Sequence, residues 1–372
     1  MREGLARPVC VAVLFGGQSG EHEVSLESAK SLLGVLRQQD YTLRTIGISR
    51  EGQWFWGVTP QEMQTQGFPA GGRQVTILLD PRQPRFLALD GQALEDDGQV
   101  DLVFPMLHGS YGEDGTLQGL LEMSGWPYVG SGVLGSALGM DKDRMKAVLV
   151  HAGLPVAEYL TFRRWQIRQD AERVIQRIEE SLDYPCFVKP ANMGSSVGVN
   201  KAHGREELAE ALQTAALYDT KIVVEQAVIG REIEVSVLGN DQPQASIPGE
   251  ILPAREFYDY EAKYADVSSR LRIPAELPAE VVAELQEAAT RVYQAVDADG
   301  LSRVDFFVTP DNRIVVNEIN TLPGFTTISM YTKLWAASGL PYEDLVDQLI
   351  SLALARFREQ RDRRLKHEAK KR

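Results

Sequence analysis

The chain has little cysteine, no long apolar run and no excess of positive charge. Only Cys10 and Cys186 occur among its 372 residues. Both sit in apolar, strand-like stretches and read as small buried hydrophobes, so neither a disulfide framework nor a cysteine zinc site is available. A reducing, cytoplasmic setting is expected. No apolar run reaches the roughly eighteen residues that a membrane-spanning helix needs, so no membrane partner is expected. The opening MREGLARPVCVAVLFGG ends its apolar run in glycines and has no small-residue cleavage site, which favours a first strand over a secretory signal. The net charge of −13 gives no case for nucleic-acid binding. The basic stretch RFREQRDRRLKHEAKKR reads as the solvated end of a last helix. A GxxxxGK[ST] phosphate loop, an internal repeat and low-complexity segments are also lacking.

What is present is an ordinary globular composition, 44% hydrophobic and 24% charged, over a length that favours two or three domains. VCVAVLFGG, then SGEHEVSLESAKSLLGVLRQQ, then YTLRTIGISR read as strand, helix, strand. Ser19 is the expected cap, Glu21 and Glu23 suit the first turn, and Val24, Ala29, Leu32, Leu33 and Leu36 form the apolar stripe. With VDLVFPMLHG and GTLQGLLEMSG, this predicts a doubly wound α/β unit ending near residue 130. The stretch 51–95 reads as an inserted hairpin region. An α+β unit follows, with a helix over about 168–181, strands at YPCFVKP, SVGVNKA and KIVVEQAV, and a helix over 205–216. A third unit begins near 225 and includes a helix near 279–296.

GSGVLG, from Gly130 to Gly135, is a literal GxGxxG, but it stands far from the first βαβ unit where dinucleotide binding would need it. A domain junction and close helix packing are the better reading. VKPANMGSSVGV places Lys189 before a small-residue loop whose amides and hydroxyls suit phosphate oxygens. A hairpin turn with a surface lysine is the open alternative. HGSYGEDGTLQG sets His108 at a strand end, where open α/β sheets place ligands, with Asp114 as a helix cap and Glu113 just outside it. In VDFFVTPDNRIVVNEIN, a turn centred on Asp311 and Asn312 brings Asp305 opposite Glu318, with Arg303 and Asn320 on the same face. Facing carboxylates repel unless a cation lies between them. Two carboxylates and an amide oxygen form a hard ligand set suited to Mg²⁺, and Arg303 with water, and no metal, is the competing neutraliser. Residues 248–269 form a tyrosine- and charge-rich segment, open between a closing lid and an ordered surface loop.

These stretches, with FGGQSGEHEVSLESA, MDKDRMK, EFYDYEAKY, SRVDFFV and NEINTLPGFT in the same order, resemble the ATP-grasp ligases. Within them they resemble the D-alanine–D-alanine ligase family, over nearly the whole chain. The resemblance implies a three-domain ATP-grasp fold with a doubly wound N-terminal domain (1–130, first substrate), a central domain with the phosphate loop (131–224) and a C-terminal domain with lid and metal site (225–372). It implies that Lys142, Lys189, Ser195 and Ser196 hold ATP phosphates. Glu225, Gln226, Ala227 and Val228 would line the adenine pocket, and Glu232 would hold the ribose. Lys263, Asn317 and Glu318 complete the nucleotide set, and Asp305, Glu318 and Asn320 would bind two Mg²⁺, with Mn²⁺ an alternative. Glu21 would take the first D-alanine's ammonium, with His108 nearby. Arg303 and the Gly324 N–H would form an oxyanion site. Ser329 and Lys263 would hold the second carboxylate, and Ser195 and Tyr264 would tie the loop to Glu21. D-alanine and ATP are the implied substrates, a homodimer the implied assembly, and Tyr264 in the lid points to dipeptide rather than D-lactate ester synthesis. The hinge EQAVIG lacks an aromatic that some relatives place there.

Overall fold

The computed structural model describes residues 8–66, 72–252 and 270–369. Lys263, Tyr264 and most of the candidate lid lie outside them. The first unit alternates β1 (Val9–Gly16), α1 (His22–Leu36) and β2 (Tyr41–Ile48), in which β1 is buried along its whole length, as a run without polar alternation requires. The region read as a hairpin supplies β3 (Trp54–Trp56), α2 (Pro60–Gln66), β4 (Arg73–Ile77) and β5 (Phe86–Ala88). These strands extend the same sheet antiparallel, and β6 (Leu102–Met106) pairs parallel with β1 on the other side, giving the order β5-β4-β3-β2-β1-β6. The helix α3 (Thr116–Ser124) follows β6.

Two details of the first unit depart from expectation. Glu21, not Ser19, occupies the cap position of α1 and makes no side-chain cap bond; the Ser19 hydroxyl accepts the Glu21 N–H instead. Val24 is outside the buried stripe and lines a cavity, while Ser25, Leu26 and Ser28 are buried. In α3 the cap position is Gly115 rather than Asp114. The Asp114 carboxylate accepts the Tyr111 and Thr116 N–H groups, and Glu113 turns inward.

Helices α4 (Val133–Met140) and α5 (Lys142–His151) lead to a second, antiparallel sheet. It contains β7 (Tyr159–Arg163), β8 (Cys186–Pro190), β9 (Asn200–Ala202) and β10 (Lys221–Gln226) in the order β7-β10-β8-β9. The expected helix at 168–181 is two helices, α6 (Arg164–Gln169) and α7 (Ala171–Glu179). Asp170 breaks them with φ −156° and caps α7 through the Arg173 N–H. With α8 (Arg205–Tyr218) they cover one face of the sheet.

The third sheet contains β11 (Arg231–Gly239), β12 (Gln244–Ala245), β13 (Gly249–Leu252), β14 (Arg270–Arg272), β15 (Gly300–Val308) and β16 (Ile314–Asn320). Its order is β14-β13-β11-β15-β16, with β12 on β11. One face packs on α5 and α9 (Ala279–Ala295). On the other side, α10 (Met330–Ala337) and α11 (Tyr342–Ala369) share a core with α1 and the first sheet, centred on Phe325 against Phe104, Tyr331 and Tyr342. Arg356 of α11 reaches the carbonyls of Tyr128 and Gly130, pinning the junction after the first unit. No helix of the described residues is long and apolar enough to cross a membrane.

Of the GSGVLG glycines, Gly135 serves packing. A Cβ on Gly135 would stand 2.4 Å from the Asp297 carbonyl oxygen, whereas Gly119 in α3 has open space around it. Gly135→Ala is therefore expected to cost about 1–3 kcal/mol, and Gly119→Ala to gain about 0.5–1 kcal/mol. Urea denaturation checks both, and equal effects would contradict the packing role.

Candidate active site

The site grows from the β15–β16 hairpin. Residues of β15 alternate between the core (Val304, Phe306, Val308) and the cleft (Arg303, Asp305, Phe307). The turn is longer than the one expected, since Val308 pairs with Ile314 around Thr309–Arg313. That alone would shift the register by one. A bulge restores it: Phe306 faces Val316 but Asp305 faces Glu318, leaving Asn317 as the extra residue. Asn317 and Glu318 accordingly both leave the core, and both line the same cavity.

On the other side of Asp305, β11 brings Glu234 into register. Three carboxylates thus lie in a row across three strands, an arrangement that like-charge repulsion opposes. Arg303 answers it. Its Nε and one terminal nitrogen donate to Asp305, each at 2.7 Å, and Nε lies 2.9 Å from Glu234. Burial works against the guanidinium charge, but Asp305 and Glu234 outweigh it and hold Arg303 well above the usual arginine range. The Asn320 amide donates to Asp305 at 3.0 Å.

A cavity of about 570 Å³ opens on one side of this hairpin, between the first and third sheets. Glu21, His108, Arg303, Gly324 and Ser329 all line it. Glu21 is buried and receives the Ser195 hydroxyl from the loop after β8. The approach is close, because a Cβ on Gly194 would fall 2.7 Å from a Glu21 oxygen. Ser195 and Ser196 hold left-handed backbone at φ 49° and 57°, which a tight small-residue loop tolerates. Ser329 accepts the Thr326 N–H and lies beside Gly324. Glu113 lines the same cavity, and burial, with Glu21 nearby, pushes its carboxyl up to about 8.

A second cavity, about 590 Å³, lies between the second and third sheets. Lys189, Ser196, Glu225, Gln226, Ala227, Val228, Glu232, Asp305 and Asn317 line it. Lys189 donates to Glu225 at 2.9 Å and to Asn317 at 3.4 Å. Glu225 has another partner that the motifs did not single out. Lys146 of α5 is fully buried, with its ammonium 3.3 Å from the other Glu225 oxygen and over the Tyr159 ring at 5.9 Å. Burial would raise the Glu225 carboxyl, but Lys146 and Lys189 outweigh it and hold it below its usual range. Burial pulls Lys146 below the usual lysine range. Phe187, Phe306 and Phe307 are aromatic residues that line this cavity.

The two cavities share a wall containing Lys142, Met193, Ser195, Glu234 and Glu318. The Lys142 ammonium donates to the Met193 carbonyl at 2.8 Å and lies 3.7 Å from Glu318. Among the described residues no group of three His, Cys, Asp or Glu is placed to hold a metal by itself. Asp305 lines the second cavity, Asn320 the first and Glu318 both, and their oxygens are hard donors of the kind that would suit Mg²⁺. The residues missed from sequence are Glu234, Lys146 and Phe187. The alternation REIEV carried a signal for Glu234, since Glu232 and Glu234 share a face opposite Ile233 and Val235.

Removing one member of a buried ion pair strands the other. Lys146→Met is expected to destabilise by about 3 kcal/mol, read by urea denaturation. Lys146→Met with Glu225→Gln should lose less than the sum of the single changes; strictly additive losses would show that the two groups are uncoupled.

Comparison with known proteins agrees along the chain. Residues 10–131 match the family model described as D-ala D-ala ligase N-terminus, and 148–351 that described as D-ala D-ala ligase C-terminus. The chain is 50% identical to the D-alanine–D-alanine ligase of Natranaerobius thermophilus over 94% of this chain and 96% of that one. It is 51% identical to that of Heliobacterium modesticaldum over 94% and 95%. Among solved structures, the D-alanine–D-alanine ligase of Coxiella burnetii superposes with a TM-score of 0.84 at 39% identity, covering 98% of this chain and 99% of that one. The VanG D-Ala:D-Ser ligase of Enterococcus faecalis superposes at 0.83 and 38%, covering 93% and 100%. Sheet order, cavity-lining residues and matched length converge: this ATP-grasp chain belongs to the D-alanine–D-alanine ligase family.

Proposed function

We propose that the protein joins two D-alanine molecules to D-alanyl-D-alanine, consuming ATP and releasing ADP and phosphate, in the supply of peptidoglycan precursors. One observation carries this reading: two cavities of comparable size share the wall of Lys142, Ser195 and Glu318. A γ-phosphoryl group held in one is thereby within reach of a carboxylate held in the other.

A carboxylate is a poor acyl donor because its leaving group would be oxide. Its oxygen attacks the γ-phosphorus, ADP leaves, and D-alanyl phosphate forms. The second D-alanine's amine then attacks the carbonyl carbon, and the tetrahedral intermediate expels phosphate. Glu21, on the cavity wall beside Ser195, takes the first ammonium. Arg303 keeps donors beyond those spent on Asp305 and, with the Gly324 N–H, stabilises the developing oxyanion. Lys142 and Lys189 face the phosphates, with Ser195 and Ser196 over them. Asp305, Glu318 and Asn320 would hold two Mg²⁺, or Mn²⁺, which would supply charge neutralisation at the transferring group. Glu225 to Val228, with Phe187, line the end assigned to adenine, and Glu232 the ribose. Ser329 takes the second carboxylate; the family resemblance would assign Lys263 to the same carboxylate and Tyr264 to the link between Ser195 and Glu21, and both lie outside the described residues. We assign these roles to units 1–130, 131–224 and 225–372, and place the reaction in the cytoplasm in a homodimer.

Coupled ADP release tests the reading. Turnover should need D-alanine and Mg²⁺ and be absent with L-alanine. Adding D-lactate or D-serine should not replace the second D-alanine; equal turnover with D-serine would instead place the chain with the D-Ala:D-Ser ligases. Glu318→Gln should lower kcat by at least about 10²-fold with the thermal melt preserved. Near-normal activity would remove Glu318 from the metal assignment.

A further inference from the structure

Gly324 lies in an irregular segment between β16 and α10, so nothing in regular secondary structure fixes the direction of its N–H. The direction is imposed from the first unit, roughly two hundred residues earlier in the chain. Glu113 accepts the Gly109 N–H at 2.8 Å on one oxygen and the Leu322 N–H at 3.1 Å on the other. His108 Nδ1 lies 2.9 Å from the Leu322 carbonyl oxygen. A carbonyl only accepts, so Nδ1 carries the proton. In the neutral ring Nε2 then accepts the Ser28 hydroxyl at 2.9 Å, and the Ser28 oxygen accepts the Phe325 N–H at 3.4 Å. Burial keeps the ring neutral by drawing His108 below the usual histidine range.

One loop therefore grips both polar groups of Leu322, while α1 holds Phe325 through Ser28. The Phe325 carbonyl accepts the Tyr342 hydroxyl at 2.7 Å, and its ring is fully buried. Gly324 hangs between two pinned residues. Neither His108 nitrogen and neither Glu113 oxygen is without a protein partner, so both side chains line the cavity with their polar atoms already committed.

We propose that Glu113 and His108 are positioning residues that clamp the backbone N–H and C=O of Leu322 and thereby aim the Gly324 N–H at the reacting carbonyl. The aim of that N–H rests on the ligase reading above; the clamp itself does not. It also makes completion of the oxyanion site depend on the first unit being docked, since that unit supplies every group of the clamp.

Two isosteric variants separate the clamp from general packing. His108→Asn keeps an amide donor near the Nδ1 position, and His108→Gln keeps one near Nε2 only. We expect His108→Gln to lower kcat about 10²-fold with the ATP KM within twofold of wild type, and His108→Asn to recover at least tenfold of that loss. Glu113→Gln turns one acceptor into a donor against a backbone N–H and should match His108→Gln. Hydrogen exchange of the Thr321, Leu322, Gly324 and Phe325 amides reads the clamp without substrate: faster exchange is expected in Glu113→Gln and His108→Gln, but not in His108→Asn. Equal kcat for the two His108 variants, or unchanged exchange in His108→Gln, would overturn the proposal. Should Glu113→Gln not fold, the His108 pair decides. A wild-type enzyme that released no ADP with D-alanine would count against the ligase reading alone, because the exchange result still decides the clamp.

Discussion

A one-residue bulge at Asn317 is the constraint on which the rest of the site depends. Strand side chains alternate with period two, so a register error of one would turn Glu318 into the core and an apolar neighbour into the cleft. The five-residue turn introduces that error, and the bulge cancels it before the strand reaches the site. The same extra residue lets Asn317 and Glu318 leave the core together, which is how one strand lines the nucleotide-sized cavity and also reaches the wall shared with the other.

Putting Glu234, Asp305 and Glu318 abreast creates an electrostatic problem that the fold solves with buried cations. Arg303 sits between Glu234 and Asp305, Lys142 stands near Glu318, and Lys146 with Lys189 brackets Glu225. Buried charges are tolerated only when paired. A chain of net charge −13 therefore concentrates Arg303, Lys142, Lys146 and Lys189 at its cleft to offset these acids. Arg303 has a dual relation to the acids: it neutralises Asp305 within the protein, and a metal ion at the same carboxylates would share that duty.

Much of this was legible in the residues because it is local. Lys189 beside its glycine loop and Asp305 opposite Glu318 each follow from alternation or adjacency within about twenty residues. The 305/318 pairing was reached through a turn that the structure does not have, and the bulge made the expected outcome hold. What was not legible is what depends on strand neighbours and helix docking. Glu234 joins the acid row only because β11 lies beside β15, an order that no local pattern reveals. Lys146 looks like a helix-surface lysine until α5 is buried against the cleft. Ser19 reads as a cap, yet its hydroxyl is spent on the His108 carbonyl and the Glu21 N–H. Asp170 breaks a helix that periodicity alone runs straight through.

The central claim is that a phosphoryl group crosses from one cavity to the other onto a substrate carboxylate. The direct measurement uses D-alanine labelled with ¹⁸O in its carboxylate and follows the label into products. The bridging oxygen of an acyl phosphate leaves with phosphate when the amine attacks. The account predicts one ¹⁸O in each inorganic phosphate released, in step with dipeptide formed. Unlabelled phosphate alongside dipeptide, or label recovered in AMP, would contradict it.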